Sequence, residues 1–292
     1  MVKEEGRKNY KEILARMLMK KREFRNSQVF HFTKENKIGK RGQVAIFVIV
    51  GLVIIAAGVL VYFFVPEVRN VISGEISPNS FVSSCLEEEI NNGIELLSKQ
   101  GGYANPEGYI MHQGNNIKYL CYTAQYHQTC MVQQPRLVSH FEQELSEIVK
   151  RKAEECASEL RRSYQSRGYS VSGESNVDVN TSIVQDKIVI NVNAPMVASK
   201  GELTQSFTAF SIERRSKIYS LLMTAVSIID FESTYGDSET LTYVNYYPNL
   251  IMYKSKLGDG TTVYTVGDAT TGEEFTFASR SLAWPGGYGT EA

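Results

Sequence analysis

One long segment of this chain contains no charged side chain. Residues 42–66 read GQVAIFVIVGLVIIAAGVLVYFFVP, without Asp, Glu, Lys, Arg or His. As a helix rising about 1.5 Å per residue, residues 44–64 would extend roughly 32 Å, close to the hydrocarbon thickness of a bilayer. A core helix of a soluble protein is normally shorter and is interrupted by polar residues within a few turns. The segment therefore predicts one membrane-spanning helix over residues 43–66.

A secretory signal peptide is the main alternative for this segment, because a basic leader before an apolar run is its general form. The apolar run is longer than the usual ~7–15 residues of such signals, and no small-x-small cleavage site follows it. Tyr62, Phe63 and Phe64 instead form an aromatic end typical of a membrane interface. These features favour a permanent anchor.

The charge distribution predicts the orientation of that anchor. Residues 1–42 hold 13 Lys and Arg against 5 Glu, whereas the rest of the chain holds 18 basic and 27 acidic residues. Basic segments beside a span remain cytoplasmic. We therefore expect a plasma-membrane protein, single pass, with residues 1–42 as a basic cytoplasmic arm or cleavable leader and its C-terminal domain extracellular. Membrane lipid is an expected partner; nucleic acid is not, because an acidic domain repels phosphates.

All four cysteines follow the apolar segment, at Cys85, Cys121, Cys130 and Cys156. An even number in an external domain is most simply explained by two disulfides. Four cysteines allow three pairings, and the sequence alone does not choose among them. Cys85 and Cys156 each fall on an apolar stripe with helical spacing, which favours a bond between two helices and leaves Cys121 and Cys130 to close a hairpin.

Two other interpretations of the cysteines stay open. They could be buried free thiols, or Cys121 and Cys130 could bind a metal together with His127 and His112. The spacing of Cys121 and Cys130 is wider than the two to four intervening residues of zinc knuckles, so the sequence favours a disulfide and no metal or cofactor is expected.

The periodicity of the remaining sequence predicts α+β structure. Apolar residues at helical spacing predict three main helices, over about residues 81–99, 137–164 and 213–231. Alternating residues predict strands: a hairpin at 177–192 turning at Gln185 and Asp186, a strand at 203–212, and a meander over 250–279. The expected fold class is α+β, with one N-terminal transmembrane helix followed by an extracellular domain of three main helices packed on antiparallel strands.

The domain organisation follows from these elements. After the basic arm, we expect four segments: a transmembrane helix at 43–66, a linker at 67–80, an extracellular domain at 81–284 and a disordered tail at 285–292. Gly74 and Pro78 interrupt regular structure in the linker, and Gly101 with Gly102 predicts the end of the first helix.

No known catalytic motif is present. The sequence GYSVS at residues 168–172 misses the last glycine of G-x-S-x-G, and there is no H-E-x-x-H, phosphate loop or G-x-G-x-x-G. We therefore expect no enzymatic activity. The 17 tyrosines are densest at Tyr246 and Tyr247 and could form a sugar-binding or adhesive surface, although core filling is the favoured interpretation. Asn180 begins the only N-x-S/T sequon and is a glycosylation candidate.

Lys40-Arg41-Gly42-Gln43 directly precedes the hydrophobic segment, and this junction resembles the class III signal peptide of archaeal type IV pilin-like proteins. The resemblance covers residues 40–64. It implies that a prepilin peptidase cuts between Gly42 and Gln43, and that the hydrophobic helices pack together in a filament core with the other domains outside.

The expected function is therefore that of a non-enzymatic single-pass cell-surface protein, pilin-like, with a structural, adhesive or envelope-assembly role. Other membrane helices and envelope or filament subunits are its expected partners. The alternative is a membrane-tethered receptor-like or hydrolytic ectodomain for which the helix is a plain anchor.

Overall fold

The computed structural model describes residues 49–57, 77–173 and 176–283. The chain divides into two units, Met1–Ser73 and Gly74–Ala292. In the first unit, residues 49–57 are helical. The second unit contains the α+β domain expected from residue 81 onward.

The structure corrects the expectation of a transmembrane helix at residues 43–66. Among the described residues, no helix is both long and apolar enough to cross a membrane. The rest of the apolar segment lies outside the described residues, as do the basic arm with Gly42 and Gln43 and the tail at 285–292.

The described part of the second unit contains four helices. They are α1 (Pro78–Lys99), α2 (Leu137–Ser166), α3 (Ile218–Tyr235) and α4 (Thr240–Tyr246). Helices α1 and α2 lie where the apolar stripes predict them, and α1 ends at Gly101 and Gly102, which both have positive φ. The amide of Gly102 donates to the carbonyl of Leu97 at 2.7 Å, which completes the last turn.

Helix α3 begins five residues later than expected, because the preceding strand continues to Arg215. The Glu273 carboxylate then fixes the start of the helix. It accepts hydrogen bonds from the Ser216 hydroxyl and the Lys217 amide, each at 2.6 Å. Such a cap comes from a residue distant in sequence, so helical periodicity does not reveal it.

Ten strands of the described chain form two sheets. They are β1 (Tyr109–His112), β2 (Asn115–Tyr122), β3 (Met131–Val132), β4 (Ser170–Ser172), β5 (Asp178–Val184), β6 (Lys187–Lys200), β7 (Leu203–Arg215), β8 (Leu250–Lys256), β9 (Thr262–Asp268) and β10 (Glu274–Arg280). The larger sheet has the order β1-β2-β10-β9-β8, with β3 also paired to β2. In the smaller sheet, β6 pairs with β7 on one side and with β4 and β5 on the other.

The expectation of purely antiparallel strands is wrong at one pair. Strand β10 lies parallel to β2, with Ala278 opposite Tyr119 and Arg280 opposite Tyr122. A parallel pair needs a long crossover connection, and here the smaller sheet and three helices lie between the two strands in sequence. Alternation of apolar and polar residues predicts strands but does not determine which strands become neighbours in a sheet.

One continuous core joins the helices and both sheets. Helix α2 packs on β4, β5 and β6, helix α3 packs on the larger sheet, and α1 contacts β7 and β10. Helices α1 and α2 approach each other at Gly93, where an added Cβ would lie 2.9 Å from Leu145 Cδ1. A larger residue at Gly93 would therefore require the Leu145 side chain to move.

The expected disulfide bonds are confirmed, and they join the pairs that the sequence favoured. Cys85 on α1 is bonded to Cys156 on α2, and Cys121 on β2 is bonded to Cys130 just before β3. In the chain-entropy model they stabilise the fold by about 4 and about 3 kcal/mol, respectively. The described residues hold no cluster of three or more His, Cys, Asp or Glu placed to bind a metal.

The free edge of β5 is covered by side chains of α2. The Ser146 hydroxyl accepts from the Thr181 amide at 3.0 Å, and a Glu142 carboxylate oxygen accepts from the Ile183 amide at 2.7 Å. These two acceptors satisfy backbone donors that an edge strand otherwise leaves unpaired. Helix α2 thus holds the smaller sheet by specific bonds as well as by apolar packing.

Candidate functional site

The most pronounced tyrosine-rich feature of the surface is a cleft between α3, α4 and the turn that leads into β8. Helix α3 buries one stripe, including Leu221, Ala225 and Ile228, against the core. Its other side faces outward, and α4 lies beside it without a single buried side chain. A buried helix stripe and a short surface helix therefore leave an open depression between them.

The cleft has a volume of about 540 Å³, within the range of ~300–1,000 Å³ usual for ligand sites. Tyr219, Tyr243 and Tyr247 line it, with Leu221 and Leu250 among its apolar residues. We call it the tyrosine cleft.

Hydrogen bonds fix the walls of the tyrosine cleft. The Tyr243 hydroxyl lies 2.9 Å from the Ser227 hydroxyl and ties α4 to α3. The Tyr247 amide donates to the Tyr243 carbonyl, and the Leu250 amide donates to the Tyr247 carbonyl, each at 2.9 Å. Tyr243 and Tyr247 lie four residues apart and so project from the same side of α4 and its end.

The charged groups of the tyrosine cleft already make hydrogen bonds within the protein. Lys217 contacts Asp186 at 2.6 Å, and this hydrogen bond, with the accompanying charge attraction, raises the pKa of the Lys217 ammonium. The Asp268 carboxylate accepts from the Thr270 side chain and from the Thr270 and Thr271 amides, which lowers its pKa. Asp268 has only neutral partners and keeps its negative charge, whereas the other polar groups of the cleft are hydroxyls and side-chain amides beside tyrosine rings.

The structure corrects the interpretation of Tyr246 and Tyr247 as core residues. Tyr246 is 78% exposed and Tyr247 is 61% exposed. Exposed aromatic side chains also occur on α3, at Phe231 and Tyr235, whose rings lie 4.9 Å apart. The density of tyrosines in the sequence does not by itself predict this exposure, because tyrosine occurs both in cores and on surfaces.

A buried carboxyl group at the end of α3 is the other unusual feature. Glu232 is 1% exposed, and its carboxylate accepts hydrogen bonds from the Tyr264 hydroxyl and the Ser238 amide. Burial raises the pKa of Glu232 and also that of Tyr264. Neighbouring Asp237 instead pairs with Lys254 at 2.7 Å.

A small cavity of about 170 Å³ lies beside Glu232 and Asp237. Carboxyl groups with pKa values shifted in opposite directions are a feature of acid–base sites. The Glu232 side chain is closed to solvent, however, and its bonds reach β9 and the turn at Ser238. We interpret this group as a structural link between α3 and the larger sheet.

The residues singled out in the sequence do not meet at one site. The four cysteines form the two disulfides, so Cys121 and Cys130 are not metal ligands. Asn180 is exposed on β5 and does not line the tyrosine cleft. Gly42 and Gln43, the cleavage pair, lie outside the described residues.

Comparison with known proteins assigns no family. No family model matches the chain, and no curated protein or solved structure is significantly similar to it. Function therefore has to be inferred from the disulfides, the exposed aromatic residues and the tyrosine cleft.

Proposed function

We propose that this chain is a non-enzymatic, pilin-like cell-surface protein whose disulfide-bonded domain lies outside the cell and has a structural or adhesive role. The observation that carries the proposal is the pair of disulfides, Cys85–Cys156 and Cys121–Cys130, which uses every cysteine of the chain. Structural disulfides persist in oxidising surroundings such as the cell exterior and are rare in the cytosol.

The exposed aromatic residues support binding as the activity of this domain. Tyr246, Tyr247 and Tyr235 are each more than half exposed. Large exposed aromatic side chains mark interaction surfaces more often than they serve stability. The strongest candidate for acid–base chemistry, Glu232, is closed to solvent, which favours adhesion over catalysis.

The junction at Gly42 and Gln43 supports the pilin-like part of the proposal. Its resemblance to a class III signal implies processing there and lateral association of the hydrophobic segments of neighbouring subunits. Small residues in that segment, at Gly51, Ala56 and Ala57, would let two such segments approach closely. Envelope or filament subunits are accordingly the proposed partners.

Two measurements on native cells test the proposal. N-terminal sequencing of the mature protein should give Gln43 as the first residue; a chain that begins at Met1 would contradict pilin-like processing. Protease added to intact cells should digest the disulfide-bonded domain, with a cytosolic protein as the protected control. A domain that is digested only after lysis would contradict the external location.

A further inference from the structure

We propose that the tyrosine cleft binds a neutral oligosaccharide. This inference rests on the proposed adhesive role and names the ligand class of that activity. It follows from three properties of the cleft: exposed tyrosine rings, neutral polar groups, and charged groups that are already hydrogen-bonded within the protein.

The tyrosine rings offer flat apolar surfaces to a ligand. Tyr247 is 61% exposed, whereas Tyr219 and Tyr243 are half-buried and therefore held in place. Each pyranose ring of a sugar has a face of C–H groups, which packs on an aromatic ring, and an edge of hydroxyl groups, which needs hydrogen bonds. A tyrosine ring with its hydroxyl suits such an amphipathic ligand.

The polar groups around these rings match the hydroxyl edge of a sugar. Gln185 and Asn249 line the cleft and are exposed, and their side-chain amides make no hydrogen bond to another described residue. Ser220 and Thr224 add hydroxyl groups from α3. The amides of Gln185 and Asn249 and the Ser220 hydroxyl can each donate or accept a hydrogen bond, whereas the Thr224 hydroxyl donates to the Ser220 carbonyl and can only accept from a sugar.

The charged groups of the cleft favour a neutral ligand. Lys217 is paired with Asp186, and Asp268, which is bonded only to the neutral Thr270 and Thr271, keeps a negative charge that repels anions. A charged ligand would have to compete with these bonds and would be desolvated without a new partner. The free polar groups are side chains and not a strand edge, which favours a sugar over a peptide that pairs through its backbone.

Binding by the full chain tests the inference. The protein is purified with its disulfides intact, in a zwitterionic detergent, because detergents with sugar headgroups would compete for the cleft. Calorimetric titration with cellotetraose, chitotetraose and maltotetraose, preceded by an array of neutral glycans, should find binding with a Kd at or below about 1 mM.

Matched tyrosine variants locate the binding. Tyr247→Ala should weaken binding by about tenfold or more, because it removes the most exposed ring of the cleft. Tyr235→Ala removes a ring of similar exposure that does not line the cleft and should leave Kd unchanged. Both positions are on the surface, so both variants should fold, which circular dichroism verifies.

Three outcomes would overturn the inference: no binding of any neutral glycan by the folded protein, equal loss in both variants, or binding of a proline-rich peptide in the cleft with no sugar bound. None of these outcomes would affect the identity of the first residue or the digestion of the domain on intact cells. Failure of the sugar site is therefore distinguishable from failure of the cell-surface role.

Discussion

Glu232 shows how a single residue can set the pH dependence of this domain. Its carboxyl group is buried between α3 and the larger sheet, and burial raises its pKa above the ordinary value of 4.5. Asp237 and Lys254 are the charged groups nearby. Burial alone would raise the pKa of Asp237 as well, but hydrogen bonds from Lys254 and Lys256 lower it.

The sign of the pH dependence follows from these shifts. Below pH 4.5, Glu232 is protonated in both the folded and the unfolded chain, and its contribution to stability is complete. As the pH rises through the higher pKa of Glu232 in the folded state, that contribution is lost, because the Glu232 carboxyl ionises more readily in the unfolded chain. Asp237 acts in the opposite direction, and its contribution is lost only at acid pH, below its ordinary value of 3.8.

We predict that Glu232→Gln removes the loss of stability that ionisation of Glu232 causes as the pH rises. The free energy of unfolding of the wild type should fall between pH 4.5 and neutrality, and that of the variant should fall less steeply, because glutamine keeps the shape of the protonated acid without ionising. Urea titrations over this pH range provide the measurement. Glu239→Gln, at an exposed position, is the control, and an identical slope for wild type and Glu232→Gln would refute the prediction.

The sequence predicted the pairing or burial of some residues and not of others. The pairing of Cys85 with Cys156 follows from helical stripes, because a buried thiol must face a neighbouring helix. The exposure of Tyr246 does not follow, because tyrosine occurs both in cores and on surfaces. Glu232 gives conflicting signals: it lies four and three residues after Ile228 and Ile229 and so on the buried face of α3, but a carboxyl group is rarely buried.

At the scale of elements, the contact between α2 and β5 depends on few hydrogen bonds. Thr181 is buried, and both its amide and its hydroxyl are bonded to Ser146. We predict that Ser146→Ala lowers the free energy of unfolding by about 1–3 kcal/mol, because it leaves a buried donor unsatisfied. Urea denaturation measures the loss, and hydrogen exchange should show faster exchange at the Thr181 amide.

Ser158 is the matched control for this prediction. It lies on the same helix and is exposed, so Ser158→Ala should change the free energy of unfolding by less than about 0.5 kcal/mol. Equal effects of the two substitutions would show that the bond to β5 contributes nothing to stability.

Periodicity predicted the long elements and missed the short ones. Helices α1 and α2 have apolar stripes over many turns, and the hairpin of β5 and β6 turns at Gln185 and Asp186 as expected. Helix α4 has seven residues and no buried side chain, so it gives no stripe. Because α4 forms a wall of the tyrosine cleft, the cleft itself was not predictable from the sequence.

At the scale of the whole second unit, the two halves of its sequence share one structure. Strand β2 comes from the first half and β10 from the second, and they are neighbours in the larger sheet. Strands β6 and β7 pair along most of their length across the turn at Gly201. A division of the domain near residue 200 would therefore separate paired strands.

We predict that a chain cut at this turn stays assembled. A protease site inserted at Gly201 is suitable because no atom lies within 4 Å of an added Cβ there. Both disulfides lie before the cut, so only non-covalent contacts hold the fragments together. The fragments should co-elute in gel filtration and separate in urea.

A cut at Gly114 is the control for covalent linkage. Cys85 lies before it and Cys156 after it, so those fragments should stay joined in urea until a reductant is added. Separate elution of the Gly201 fragments without denaturant would show that the unit consists of two independent domains.

The bond between Arg280 and the carbonyl of Thr123 spans 157 residues of sequence. During synthesis, β2 emerges long before β10, and until then one side of it has no partner. Contacts this distant form slowly, and an unpaired strand edge invites aggregation in the meantime. A chain that lacks its last strands would therefore have an open edge on β2.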